Sequence, residues 1–264
     1  MKRFIVIALT ATLLCMNSAR AWNGLGHRTV VEIAKRHLTE KAKANIERYL
    51  PYDIVDDAVW MDKNRGKKSK YRFSNSWHSY YYDAKFRHDP NMPNKVANGD
   101  TMRALDLAER NLSMYKELSD SAVVYNIRMV LHFVGDMHCP SHCKLIGGRD
   151  DGGKLYLKGK CVGSFHGFYD KMPTRIHGDI IPAKLAAKLD TYSKAKIKRV
   201  CKGDHHDWAV ESMHRTNIIH QLNPNDGTNI LRDDTVERSK DVIDTQLRLA
   251  GYRLAHLLNK HFGK

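Results

Sequence analysis

His132 and Asp136 stand four residues apart in an apolar run, and His142 follows two residues after Pro140. Val123, Val124, Ile127, Val130 and Leu131 predict that the run is a buried helix. On a helix the imidazole and the carboxylate project from one face, one turn apart. Pro140 stops such a helix and leaves His142 just beyond its end. Histidine nitrogens with a carboxylate suit a borderline metal such as zinc. The competing reading is a buried histidine hydrogen-bonded to the aspartate of its own helix. His166 and Asp170 repeat the i, i+4 spacing further along. Two such pairs flanking a third histidine favour a multi-metal phosphoester site over plain packing.

Other residues that could join this chemistry are scattered. His27 follows Gly24 and Gly26, which allow a tight turn, although spacing alone favours a frayed end with an incidental histidine. Asp62 and Arg65 lie at i, i+3, the spacing of an ordinary surface ion pair. His78 sits in the most aromatic stretch, beside Trp77, Tyr80, Tyr81 and Tyr82, where core packing competes with a ligand flanked by faces for base stacking. His205-His206 could form a further metal site or a plain surface pair. The other histidines at 37, 88, 138, 177, 214, 220, 256 and 261 are assigned to the surface or to supporting roles.

The elements that must position these groups are mostly helical. Residues 28 to 50 have helical apolar spacing, with a break near Thr39 and a stop at Pro51. Asp100 caps a helix running to about Leu118, and Ser119 to Ser121 cap the helix that carries His132. Leu155 to Leu157 predicts a short strand; Ile181 to Leu189, a segment opening at Trp208, and Asp241 to Phe262 predict helices. A loop covers 88 to 100, and a glycine-rich one follows His142.

Residues 1 to 21 have the form of a signal peptide: Lys2 and Arg3, an apolar Phe4 to Leu14, then Ala19-Arg20-Ala21. Cleavage before Trp22 leaves 243 of the 264 residues, enough for one domain over 22–264. It also frees the amino group of Trp22, which can ligate a metal once deprotonated. Losing three basic residues takes the formal charge from +15 to +12, which favours an anionic partner such as nucleic acid, a phosphorylated small molecule or an acidic membrane surface. The export reading permits disulfides among Cys139, Cys143, Cys161 and Cys201, in any of three pairings. No segment is long and apolar enough to span a membrane.

Taken in order, the motifs resemble the zinc-dependent S1/P1 nuclease family along nearly the whole chain. They are Trp-x-x-x-Gly-His (Trp22 to His27), Trp-x-Asp-x-x-Arg (Trp60 to Arg65) and Trp-His (Trp77-His78). His-Phe-x-Gly-Asp-x-His-x-Pro-x-His (His132 to His142), Gly152-Gly153, His-x-x-x-Asp (His166 to Asp170) and Trp-Ala-x-Glu-Ser (Trp208 to Ser212) follow, and Ala250 to Asn259 matches the family's tail. The resemblance implies an all-α, phospholipase C/P1 nuclease-like domain with three zinc ions in a cleft. One zinc would take Asp62, His78, His132 and Asp136. A second would take the amine and carbonyl of Trp22 with His27 and Asp136, making Asp136 a bridge. The third would take His142, His166 and Asp170.

It further implies a monomeric secreted or periplasmic hydrolase that cuts single-stranded DNA and RNA to 5′-phosphates through a bridging hydroxide, and that acts on 3′-nucleotides. Arg65 would hold non-bridging phosphate oxygens, with Lys154, Tyr80, Tyr81 and Tyr82 near substrate. Lys154 replaces the family's usual asparagine, Tyr81 stands where many members have an aspartate, and Ser164-Phe165 and Tyr169 also depart. These departures bear on base preference and phosphate positioning. A zinc-dependent phospholipase C resembles the family in fold and in its N-terminal tryptophan, and a zinc- or nucleic-acid-binding protein without turnover is a third reading.

Overall fold

A computed structural model describes residues 22–90, 99–147, 153–223 and 228–264. The signal segment, most of the loop at 88 to 100, Gly152 and the glycine-rich stretch around it lie outside the described residues.

The helices begin where side chains can satisfy their first free N–H groups. Helix α1 (Gly24–Lys35) is capped by Asn23 and α2 (Glu40–Glu47) by Thr39; the break near Thr39 falls where expected, while α1 starts earlier than residue 28, through both glycines, and α2 ends short of Pro51. A 3-10 segment, Ile54–Val59, leads into α3 (Trp60–Asn64), and a second, Arg72–His78, leads into strand β1 (Tyr80–Tyr82). Asp100 accepts from the N–H groups of Met102 and Arg103 to start α4 (Thr101–Ser113), which ends earlier than Leu118 because a 3-10 turn, Tyr115–Glu117, intervenes. Ser119 caps α5 (Asp120–His138), which stops two residues before Pro140. Short strands β2 (Cys143–Leu145), β3 (Leu155–Leu157) and β4 (Lys160–Gly163) come next. Helices α6 (Phe165–Asp170), α7 (Met172–His177), α8 (Pro182–Leu189), α9 (Lys194–Val200), α10 (His205–Leu222) and α11 (Thr235–Phe262) complete the chain. The only sheets among the described residues are two two-stranded ladders, so the all-α class holds.

Helix α5 is the central post. From Met129 to His138 every residue is buried, because α4, α11, α1 and the 3-10 segment at Ile54 pack around it. Helices α1 and α11 approach closely at Gly251, where a Cβ would stand 2.5 Å from Ile33. The aromatic stretch supplies what the sequence did not suggest: β1 pairs in parallel with β2, Tyr80 opposite Cys143 and Tyr82 opposite Leu145. The ladder runs beside the end of α5 and sets His78 next to His142.

Two expectations are corrected. Tyr80 and Tyr82 are 0% exposed, so neither ring offers a face to a base. Their strand alternates, and only Tyr81 points outward. The Tyr80 hydroxyl instead donates to the carbonyl of Met137, 3.0 Å away. The four described cysteines are free thiols, three of them buried, in place of the disulfides that export would permit. Cys139 packs at the end of α5 against Ser141, and Cys161 lies exposed on the β3–β4 hairpin.

Candidate metal centre

The residues singled out in sequence converge where α1, α3, α5, α6 and the turn after α5 meet. Asp136 is the hub, fully buried on the last turn of α5. Its Oδ2 lies 3.0 Å from His78 Nδ1 and 3.2 Å from His132 Nε2. Its Oδ1 faces the other way, 3.4 Å from His27 Nε2 and 3.8 Å from His142 Nδ1. Asp62 closes the first group, with Oδ1 3.8 Å from His78 and 4.0 Å from His132. His27, Asp62 and His132 also lie within 4.8 Å of one another, so the groups overlap. A neighbouring cluster has Asp170 between two imidazoles: Oδ1 is 3.2 Å from His142 Nε2 and Oδ2 is 3.2 Å from His166 Nε2.

These spacings suit metal better than hydrogen bonding alone. Tetrahedral ligands about 2.0–2.1 Å from one zinc stand about 3.3 Å from each other. His78 Nδ1 and His132 Nε2 are 3.1 Å apart, and both face the same carboxylate. The tautomers agree. His132, His142 and His166 each donate Nδ1–H to a backbone carbonyl, of Ala58, His78 and Ser141 respectively. A carbonyl can only accept, so Nε2 of each ring is left as a lone pair aimed into the cluster. Both ring nitrogens of His27, His78 Nε2, Asp136 Oδ1 and Asp170 Oδ2 are buried without a hydrogen-bond partner. A cation satisfies such atoms, and the donor set of nitrogen and carboxylate oxygen fits zinc.

Electrostatics gives the same picture. Burial drives His78 down to about 3 and His166 to about 4, so both rings stay neutral and able to ligate. Burial also lowers His27, aided by the neighbouring His132. For His132 burial opposes the charge, but Asp136 and Asp62 outweigh it and raise the ring; for His142, Asp136 and Asp170 do the same. Metal binding would displace any proton that either ring carries at Nε2.

The surroundings explain how the chain builds this. Gly26 lets α1 close on Trp22, since a Cβ there would stand 2.8 Å from that of Trp22. Trp22 is fully buried, and the N–H of Asn23 donates to the carbonyl of Asp170 at 2.8 Å, which brings the start of the described chain to the centre. Arg65 Nη2 lies 2.9 Å from Asp62 Oδ1, a bond to the cluster in place of a surface pair. Lys154 is exposed at the entry to β3. Ser141 was overlooked in sequence: its hydroxyl donates to Asp170 Oδ1 at 2.5 Å. Cys139 lies close too, Sγ 3.9 Å from the same oxygen, with burial holding its thiol protonated. His138 takes no part. It donates Nδ1–H to Val134 O and accepts from Arg253 at 2.9 Å, locked under the site. A pocket of about 540 Å³ beside α1 and α2, lined by Lys35, Leu38, Ile46 and Tyr52, contains none of these residues.

A helical domain that gathers buried histidines and aspartates from its first helix, its central helix and the turn beyond has the donor set of a metal-dependent hydrolase. Residues 22–263 match the model of the S1/P1 nuclease family, and the chain belongs to that family. It is therefore a nuclease, a metal-dependent hydrolase of phosphodiester bonds in nucleic acid. No curated protein matches the chain. No helix among the described residues is long and apolar enough to cross a membrane.

Proposed function

We propose that this nuclease is exported, holds three zinc ions, cuts single-stranded DNA and RNA to 5′-phosphate products and removes the phosphate of 3′-nucleotides. The observation that carries the reading is the division of labour on Asp136, whose two oxygens face different histidines. Asp62, His78, His132 and Asp136 Oδ2 would hold one zinc. Asp136 Oδ1, His27 and the amine and carbonyl of a processed Trp22 would hold the second, and His142, His166 and Asp170 the third. When bound, zinc supplies Lewis acidity, bringing the pKa of water towards neutrality and offsetting phosphate charge.

The chain's own residues do the rest. Asp62 holds the Arg65 guanidinium at the edge of the cluster, where its positive charge would stabilise non-bridging phosphate oxygens. Tyr81, half-buried, offers a ring for an unstacked base, and the Lys144 ammonium 5.6 Å from that ring adds positive charge for the backbone. A duplex cannot present a splayed base to such a face, which favours single strands.

The decisive experiment uses protein processed to begin at Trp22 and loaded with zinc. Acid-soluble nucleotides from single-stranded DNA and RNA, little from duplex, phosphate from 3′-AMP and no choline phosphate from lecithin are expected. Preference for lecithin would favour the phospholipase reading, and absence of all hydrolysis would refute the enzyme. Protein retaining one extra residue before Trp22 should be inactive, because that amine would then be an amide.

A further inference from the structure

We infer that Asp106, His205 and His206 form a second, separate binding site for a borderline divalent cation of the zinc class, clamping α4 to the start of α10. The three residues offer donor atoms within 4.8 Å of one another. Nε2 of His205 and Nε2 of His206 each stand 2.9 Å from the same oxygen, Asp106 Oδ1. His205 is the informative member. Its Nδ1 lies 2.6 Å from Glu109 Oε1, and Glu109 is further held by Lys260 at 2.6 Å. A carboxylate that accepts Nδ1–H fixes the tautomer and leaves Nε2 as a lone pair, the arrangement that orients metal-bound histidines. That lone pair points at a carboxylate oxygen, so a positive charge must sit between them: a proton, or a metal ion that displaces it.

The surroundings admit an ion. His205 is buried, whereas the side chains of Asp106 and His206 are 42% and 50% exposed, so two ligands can adjust and water can complete the shell. The N-terminus of α10 repels cations, but Asp204 and Asp207 form a capping box there and place two carboxylates against that field. The site is remote from the nuclease centre. Along α11, Gln246 bonds the carbonyl of His138 at the end of α5, while Lys260 bonds Glu109. Those two positions stand about 21 Å apart at the helical rise.

Equilibrium dialysis of the processed, zinc-loaded protein against buffered zinc at mildly alkaline pH, followed by elemental analysis, tests this. The wild type should hold one zinc more per chain than His206→Ala or Asp106→Asn, while all three hydrolyse single-stranded DNA equally. Both substitutions are at exposed side chains, so neither opens a core cavity. Glu109→Gln should weaken zinc at this site about 10- to 100-fold. Equal zinc content in wild type and both exposed variants would overturn the site and leave a protonated His205 between two acids. Loss of hydrolysis in every sample would count against the nuclease reading without touching the zinc difference.

Discussion

The imidazole of His27 rests directly on Gly135: a Cβ at that position would stand 2.8 Å from Nδ1 and 3.1 Å from Cε1. The ring also stacks on His132, one turn back on the same helix face, with centroids 4.1 Å apart. Gly135→Ala should therefore displace a ligand although alanine improves helix propensity by about 1 kcal/mol. A misplacement of about 1 Å costs about 100-fold in rate. Lower zinc content and activity with native far-UV circular dichroism is the expected result; unchanged zinc content would show that His27 is not a ligand.

Asp136→Ala should lose two zinc ions per chain and nearly all activity, since one carboxylate faces both groups. Elemental analysis of the purified variant decides. Three ions retained would refute the bridge, and loss of a single ion would give Asp136 to one group only.

The tyrosines separate cleanly. Tyr81→Ala should weaken single-stranded DNA binding by about 1–3 kcal/mol, the range of one stacked base, with zinc content unchanged. Tyr80→Phe removes a buried hydrogen bond to Met137 and should cost about 1 kcal/mol of stability without altering binding. Fluorescence titration with an oligonucleotide and denaturant unfolding measure the two; a reversed pattern would return base stacking to Tyr80.

His220 gives the acid response of the fold. It stacks on Phe165, and burial lowers it to about 4 from 6.5. Between those values the unfolded ring binds a proton and the folded ring does not, so stability is present above pH 6.5 and is lost as pH falls towards 4. The full contribution is at most about 3 kcal/mol. Denaturation midpoints of His220→Gln should fall less steeply than wild type over that window; parallel curves would show that His220 is not the group responsible.

What was legible in the sequence was what is local. Ser119, the apolar run, the four-residue step from His132 to Asp136 and the stop at Pro140 all act within a few residues, and the helix they predict is the one found. The order of motifs carried the rest of the cluster, which lies on separate elements. Periodicity could not show that Tyr80–Tyr82 pairs with Cys143–Leu145, because three residues are too short a pattern and the partner is distant. Without that register, three adjacent tyrosines read as one aromatic surface, whereas strand alternation buries two and presents one. Ser141 was invisible, an unmarked position of its motif, and Gly135 stood in the motif without a reason: a small residue explains itself only through what stands against it.

The parallel ladder has a consequence for how the centre fills. Tyr80 N–H donates to the carbonyl of His142 at 3.0 Å, while the His142 ring bonds the carbonyl of His78. The His142 ring thus holds the backbone of His78, and Tyr80, two residues on, holds the backbone of His142 in return, so the two clusters share a joint. Whatever steadies one ring steadies the other, and such coupling is reciprocal. Zinc uptake should accordingly be cooperative, rising more steeply with free zinc than independent sites allow, and a partly loaded molecule should be the rarest form in solution.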